Sequence, residues 1–302
     1  MTIYIPTLDE MFRDAYTQES LVTADGHTII ARFFEPSASP VGSVLIVGAM
    51  GVPQTYYEAL AVWLQKKGYF VATFDYRGIG LSRKRPLNKV EADILVWARQ
   101  DCEAALTALL SRAPSVPMVW LGHSLGGQIL PFVPSRARVS RMITIGSGNG
   151  YWRKNTQELK RVVWLMWYVI TPLLTPVFGY FPGARLNMVG DLPKGVVEQW
   201  RKWCLHPDYA VGAEGPDVQA LYDSVTQPVS ILSFTDDEYM SAESTASLHA
   251  FYRSAPQEHR RLNPAELGIK RIGHFGFFRR AMADVLWEKY LLPEFKSGHL
   301  AR

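Results

Sequence analysis

The stretch Pro117-Met118-Val119-Trp120-Leu121-Gly122-His123-Ser124-Leu125-Gly126-Gly127 decides the fold. An apolar run, a Gly-x-Ser-x-Gly turn and then Gln128-Ile129-Leu130-Pro131-Phe132 read as a strand, a tight turn and the start of a helix. That order makes a nucleophile elbow. The turn lifts a serine hydroxyl clear of the sheet, and a helix behind it would aim its first amides at a developing oxyanion. Gly122 and Gly126 suit the turn because a Cβ there would clash where strand and helix approach.

Outward from the elbow, strand-like and helix-like runs alternate. Thr28 to Phe34, Ser43 to Val47, Tyr69 to Phe74, Val116 to Leu121, Arg141 to Ile145 and Pro228 to Phe234 read as strands. Tyr56 to Lys67, Val90 to Leu110, Ser241 to Tyr252 and Phe277 to Leu292 read as helices. The alternation predicts an α/β fold, a mostly parallel central sheet with helices on both faces. One segment interrupts it. Residues 149–212 hold no good strand and many aromatics, among them Tyr151, Trp152, Trp164, Trp167, Tyr168, Trp200 and Trp203, divided by Pro172, Pro176, Pro182 and Pro193. An insertion there would lie over the carboxyl edge of the sheet, where ligands of such folds bind. The expected organisation is a core of residues 1–148 and 213–302 with a helical cap of residues 149–212.

A serine nucleophile needs a base, and the base an orienting acid; on a sheet with this elbow they come in the order Ser, Asp or Glu, His. His274 lies after the last apolar run, flanked by Gly273 and Gly276, in a loop suited to placing a ring beside Ser124. His123 sits inside the elbow and points elsewhere. After the strand ending at Phe234 comes Thr235-Asp236-Asp237-Glu238, from which Asp237 is preferred and Asp236 stays open. The loop after Ile145 has no carboxylate, which removes the other place for the acid. An oxyanion hole needs two amides. Leu125, after the serine, supplies one; the loop Gly48-Ala49-Met50-Gly51 supplies the other, from Met50 or from Ala49.

With these residues the chain resembles the α/β-hydrolase superfamily. Asp75-Tyr76-Arg77-Gly78-Ile79-Gly80-Leu81-Ser82 resembles the turn after its fourth strand, and Ile272-Gly273-His274-Phe275 its histidine loop. Ala49-Met50-Gly51 with Tyr56-Tyr57-Glu58-Ala59-Leu60-Ala61 is similar to the monoacylglycerol-lipase-like branch, where a His-Gly pair stands in place of Gly48-Ala49. The chain is also similar to bacterial predicted hydrolases without an assigned substrate. The resemblance spans about residues 25–148 and 226–292. It implies an α/β-hydrolase fold and a serine hydrolase acting on a small-molecule carboxylic ester. Asp75, in a structural turn, is not counted as catalytic.

The bulk properties are compatible. The 302 residues, 48% hydrophobic and 20% charged with net charge +4, describe a soluble globular protein with no nucleic-acid motif. No metal or cofactor is expected, since no His-Glu-x-x-His or Cys-x-x-Cys occurs. Two cysteines make no disulfide framework, Met1 to Glu10 does not read as a signal peptide, and a cytoplasmic location is expected. No run approaches the ~18 apolar residues of a membrane span; the nearest, Val162 to Ile170, ends at Thr171-Pro172. The aromatic cap suggests an apolar or lipid-like acyl group. Val163, Trp164, Trp167, Tyr168 and Ile170 are expected to pack inward, with docking of an exposed face on a membrane surface as the competing reading. Arg83-Lys84-Arg85 reads as a solvated loop, with a lipid headgroup as its alternative partner. A thioesterase, amidase or C–C hydrolase, and a non-catalytic binder on the same scaffold, stay open, as does the oligomeric state.

Overall fold

A computed structural model describes residues 15–186 and 188–296. The reading of Met1 to Glu10 lies outside those residues. The chain runs β1 (Thr17–Val22), β2 (Thr28–Phe34), β3 (Gly42–Val47), helix α1 (Glu58–Lys66), β4 (Tyr69–Asp75), helix α2 (residues 94–112), β5 (Met118–His123) and β6 (Arg141–Ile145). Then come helix α3 (Gln157–Phe178), a small pair β7 (Tyr180–Phe181) and β8 (Leu192–Pro193), and helices α4 (Lys194–Leu205), α5 (Tyr209–Glu214) and α6 (Asp217–Asp223). Strand β9 (Val229–Phe234), helix α7 (Ala242–His249), strand β10 (Gln257–Leu262) and helix α8 (residues 283–296) complete it.

Eight strands form one sheet in the order β1-β2-β4-β3-β5-β6-β9-β10. The pairs β1–β2 and β2–β4 are antiparallel and the other five parallel. The expected α/β architecture is therefore present. Every residue of β3, β4, β5 and β9 is buried, as a sheet covered on both faces requires. Side-chain alternation sorts them. Leu45, Val47 and Trp120 pack with Trp97, Leu106 and Leu109 of α2 on one face. Val44, Ile46, Val119 and Leu121 pack with Leu60 and Leu64 of α1 and with Leu286 and Trp287 of α8 on the other.

Several readings of the sequence need correction, among them the start of α8, which lies at Ala283 rather than Phe277. Helix α2 begins at Ile94 rather than Val90, because the Asp93 side chain accepts the Val96 amide at 2.7 Å and caps the helix there. The aromatic segment does contain strand, though only the two-residue β7 and β8. Another concerns Thr171-Pro172, which does not end its helix. Helix α3 continues through both residues to Phe178, over 22 residues of mean hydropathy 1.4, long and apolar enough by length and composition to cross a membrane. It widens to π-type turns over Met166–Ile170, just before Pro172. A proline lacks the amide for the next bond and its ring would strike the carbonyl four residues back; the wider turn gives that ring room. Gly179, at φ +73°, then stops the helix.

The side chains of α3 also divide differently from the expectation. Val163, Met166 and Trp167 are buried, and Trp167 stands edge-on to Trp200 of α4. Trp164 and Tyr168 instead face solvent, at 46% and 53% exposure. Helix α4 packs onto the loops at the carboxyl ends of the strands: Trp203 stacks on Phe132 at 5.9 Å between centroids.

Candidate active site

Ser124 comes directly after β5 with φ +51°, a left-handed conformation that costs a non-glycine residue about 1–3 kcal/mol. It persists because the surroundings leave no alternative. A Cβ on Gly126 would strike the carbonyl of Val47 in β3, and one on Gly122 would strike Gly126 itself. The two glycines are therefore needed for the reason the sequence suggested.

The elbow does not lead into the α-helix expected from the sequence. Ser124–Gly127 and Leu130–Phe132 form two short 3₁₀ turns. Pro131 has no amide to return to Gly127. The carbonyls that a helix would have used are taken up by distant side chains: Gly126 O accepts from Trp120 Nε1 at 2.7 Å, Gly127 O from Tyr252 Oη at 3.0 Å and Gln128 O from Tyr222 Oη at 2.9 Å. A local amide, not a helix dipole, is thus what the turn can offer an anion.

The three carboxylates after β9 all reach the loop of His274, each in its own way. Asp237, 4% exposed, accepts from His274 Nδ1 at 2.9 Å and 3.1 Å, and its Oδ1 also accepts the amides of Tyr239 and Met240 at 2.8 Å. Asp236 Oδ2 accepts the backbone amides of Ile272 and Gly273 at 2.9 and 3.1 Å. Glu238 accepts the amide of His274 at 3.0 Å and pairs with Arg271. Of the two aspartates left open by the sequence, Asp237 is the one on the imidazole. Gly146, at φ +57°, closes over the pair; a Cβ there would lie 3.4 Å from Asp237 and 3.5 Å from His274.

The two candidate oxyanion donors also separate. Ala49 N–H donates to Tyr57 Oη at 2.8 Å and is committed. Met50 lines a cavity together with Ser124 and Leu125. That cavity, of about 320 Å³, is mostly apolar: Leu159, Val163, Met166, Trp167 and Ile170 come from α3, and Trp200 and Cys204 from α4. His274 and Asp237 lie outside its lining; beside the elbow, His123 Nε2 meets the carbonyl of His274 at 3.1 Å and the two imidazole rings stand 5.1 Å apart.

Sequence reasoning missed several residues here. Tyr209 lines the cavity with φ +49° and donates from Oη to Gln128 Oε1 at 3.0 Å. Glu238 was seen only as a neighbour of the acid. His123 does point away from the cavity, as expected, but into a buried network with Tyr57, whose Oη lies 2.9 Å from His123 Nδ1. No local pattern marks any of these, since each meets partners far along the chain.

Comparison with known proteins adds a family context. A family described as "Serine aminopeptidase, S33" (Hydrolase_4) matches residues 38–178, a segment that includes Met50, Ser124 and Leu125 and stops before Asp237 and His274. Monoglyceride lipase of Rattus norvegicus is 31% identical over 109 residues, covering 36% of this chain and 35% of that protein. The match thus spans about a third of the relative's length. Among solved structures, a thermostable carboxyl esterase from Bacillus coagulans superposes with TM-score 0.56 at 16% identity, covering 82% of this chain and 90% of that one. An esterase from Pyrococcus furiosus, Pf2001, gives TM-score 0.57 at 12% identity, covering 98% and 94%. At such identities the likeness is one of fold.

Proposed function

We propose that this chain is a serine hydrolase of the α/β-hydrolase superfamily that cleaves a carboxylic ester with an apolar or lipid-like acyl group. One observation carries the reading: Ser124, strained at the end of β5, opens into an apolar cavity while Asp237 grips the His274 imidazole beside the same elbow. In this mechanism Ser124 Oγ attacks the ester carbonyl. With Nδ1 tied to Asp237, the other ring nitrogen of His274 takes the serine proton and passes it to the leaving alcohol. Asp237 fixes that tautomer and stabilises the imidazolium. The amides of Leu125 and Met50 hold the oxyanion; Ala49, committed to Tyr57, does not compete. Water then repeats the sequence on the acyl-enzyme. Residues 149–212 serve as the cap whose apolar side chains shape the acyl site.

The test is hydrolysis of p-nitrophenyl esters from acetyl to palmitoyl. Each buried methylene adds ~0.8 kcal/mol of binding, so kcat/KM is expected to rise with acyl length to an optimum beyond butyryl. A peak at acetyl would sink the lipid-like assignment.

A second reading concerns α3. Its exposed positions from residue 162 to 177 are Val162, Trp164, Leu165, Tyr168, Val169, Pro172, Leu173, Pro176 and Val177, with no charge among them. Val162 and Leu165 also line the cavity, so the strip is continuous with it. Arg161 stands at one end. At the other, Arg185 lies over Phe178, and Arg83 reaches Asp191 beside the exposed Lys84 and Arg85. Apolar side chains bracketed by cations suit the surface of an anionic bilayer. The opposite side of the helix is packed against protein, so it would lie along the surface rather than cross it. Co-sedimentation with phosphatidylserine-containing vesicles is expected for wild type and expected to fall at least about tenfold for Trp164→Glu, a loss in line with burying a carboxylate. Equal sedimentation of both would remove this reading.

A further inference from the structure

The loop between β3 and α1 contains one peptide unit held at both ends. The carbonyl of Gly48 accepts from Tyr76 Oη at 3.1 Å, and the amide of the same unit, Ala49 N–H, donates to Tyr57 Oη at 2.8 Å. A planar peptide anchored through both its dipoles cannot rotate without breaking one of them. The next amide along the chain is that of Met50.

The Tyr57 hydroxyl continues the chain. It lies 2.9 Å from His123 Nδ1, and His123 Nε2 lies 3.1 Å from the carbonyl of His274. The direction of every bond is forced. Ala49 N–H can only donate and the His274 carbonyl can only accept. His123 must therefore carry a proton on Nε2, and because burial keeps the ring neutral its Nδ1 accepts from Tyr57. Tyr57, Tyr76 and His123 are each almost wholly buried. Burial holds His123 well below the usual imidazole range and both tyrosines above theirs, so the chain stays uncharged around neutrality. None of the three lines the cavity. Phe278 packs on the His123 ring at 4.5 Å between centroids and fixes its plane.

We propose that Tyr57 and His123 are positioning residues that lock the oxyanion loop to the histidine loop, with Tyr76 as the second anchor of the same peptide. The chain Ala49–Tyr57–His123–His274 joins three segments, beside the direct bond from Tyr56 Oη to the Phe275 carbonyl at 2.5 Å, and sets the Met50 amide and the His274 backbone in one frame. Severing it loosens both loops, although Asp236 and Glu238 still hold the amides of residues 272–274, and it leaves every group that touches substrate chemically intact.

The experiment compares wild type, Tyr57→Phe, Tyr76→Phe, His123→Leu and the Tyr57→Phe/His123→Leu double variant. Its kinetic arm rests on the ester-hydrolase reading; its exchange arm does not. Amide hydrogen exchange is followed by mass spectrometry in peptides covering residues 48–52 and 272–276. Tyr57→Phe and His123→Leu are expected to speed exchange in both peptides, and Tyr76→Phe only in the first, with the sheet strands unchanged. On the best ester, Tyr57→Phe is expected to lower kcat by about 10- to 100-fold, the scale of a misplaced rather than deleted donor, with KM within about twofold. The affinity for a boronic acid, which mimics the tetrahedral oxyanion, is expected to fall by the same factor. The double variant is expected to be no worse than the worse single one, as for members of one chain. A merely structural tyrosine would not shift boronate affinity apart from KM. Unchanged exchange at residues 272–276 in Tyr57→Phe would overturn the coupling, whatever the kinetics. If wild type cleaves no ester, the esterase reading falls and the exchange arm alone decides this one.

Discussion

Ser124→Ala is expected to lower kcat on every ester by about 10⁶-fold, to the floor of the assay. In the proposed mechanism the hydroxyl is the nucleophile at the elbow, and the other hydroxyl and thiol groups of the cavity lining belong to Tyr209, Tyr239 and Cys204, with both phenols pushed up by burial. Cys204 is a buried thiol on α4, pushed up by burial and so kept from the nucleophilic thiolate form. The same substitution removes the target of a fluorophosphonate probe, so labelling mapped to residue 124 by mass spectrometry provides a check independent of substrate choice. Ser124→Gly is a sharper companion. It is equally inactive in expectation, yet glycine adopts φ +51° without strain. After its greater chain entropy is set against the relieved strain, a gain of about 1 kcal/mol is expected, seen as a Tm higher by about 2 °C. Residual activity in either variant, or labelling that survives, would move the nucleophile elsewhere and favour a ligand-binding role for this scaffold.

The second large effect separates the two aspartates. Asp237→Asn is expected to reduce kcat by about 10⁴-fold with little change in KM, because an amide in that place favours the wrong tautomer of His274. Asp237 also accepts two backbone amides, and the asparagine oxygen can keep only one side of this arrangement. Asp236→Asn leaves an acceptor for Ile272 and Gly273, so a loss of less than about tenfold is expected. The comparison matters because the substitutions are chemically identical and adjacent, and both carboxylates support the same loop. A comparable loss in both would mean that loop geometry, rather than the imidazole contact, limits the reaction.

How far the sequence carried this site depends on the kind of information each residue needed. Six of the eight sheet strands were legible, because continuous apolar runs bounded by turns are buried on both sides, as β3, β4, β5 and β9 are; the largely polar edge strands β1 and β10 carry no such run and were not read. Ser124 was legible because a tight turn demands glycine at fixed offsets. The helix after the elbow was misread, since Pro131 removes an amide that helical spacing takes for granted, and the orphaned carbonyls found Trp120, Tyr222 and Tyr252 instead. The end of α3 was misread for the opposite reason: Pro172 is accommodated by a wider turn, and a strip of exposed apolar side chains results that no count of apolar residues distinguishes from core.

The sequence by itself thus determined the strand order's raw material, the elbow, the histidine loop and the presence of an aromatic insertion, because these arise from periods and turn chemistry within about ten residues. Only the tertiary structure decided which carboxylate of three meets the imidazole, which of two amides is already spent, and which side of α3 faces out. Those choices depend on where one segment lies against another. Tyr57 meets His123 across 66 residues and His123 meets His274 across 151. A polar group satisfies itself with whatever partner the packed core brings within hydrogen-bond distance, and that is a property of the assembled sheet rather than of any stretch of chain.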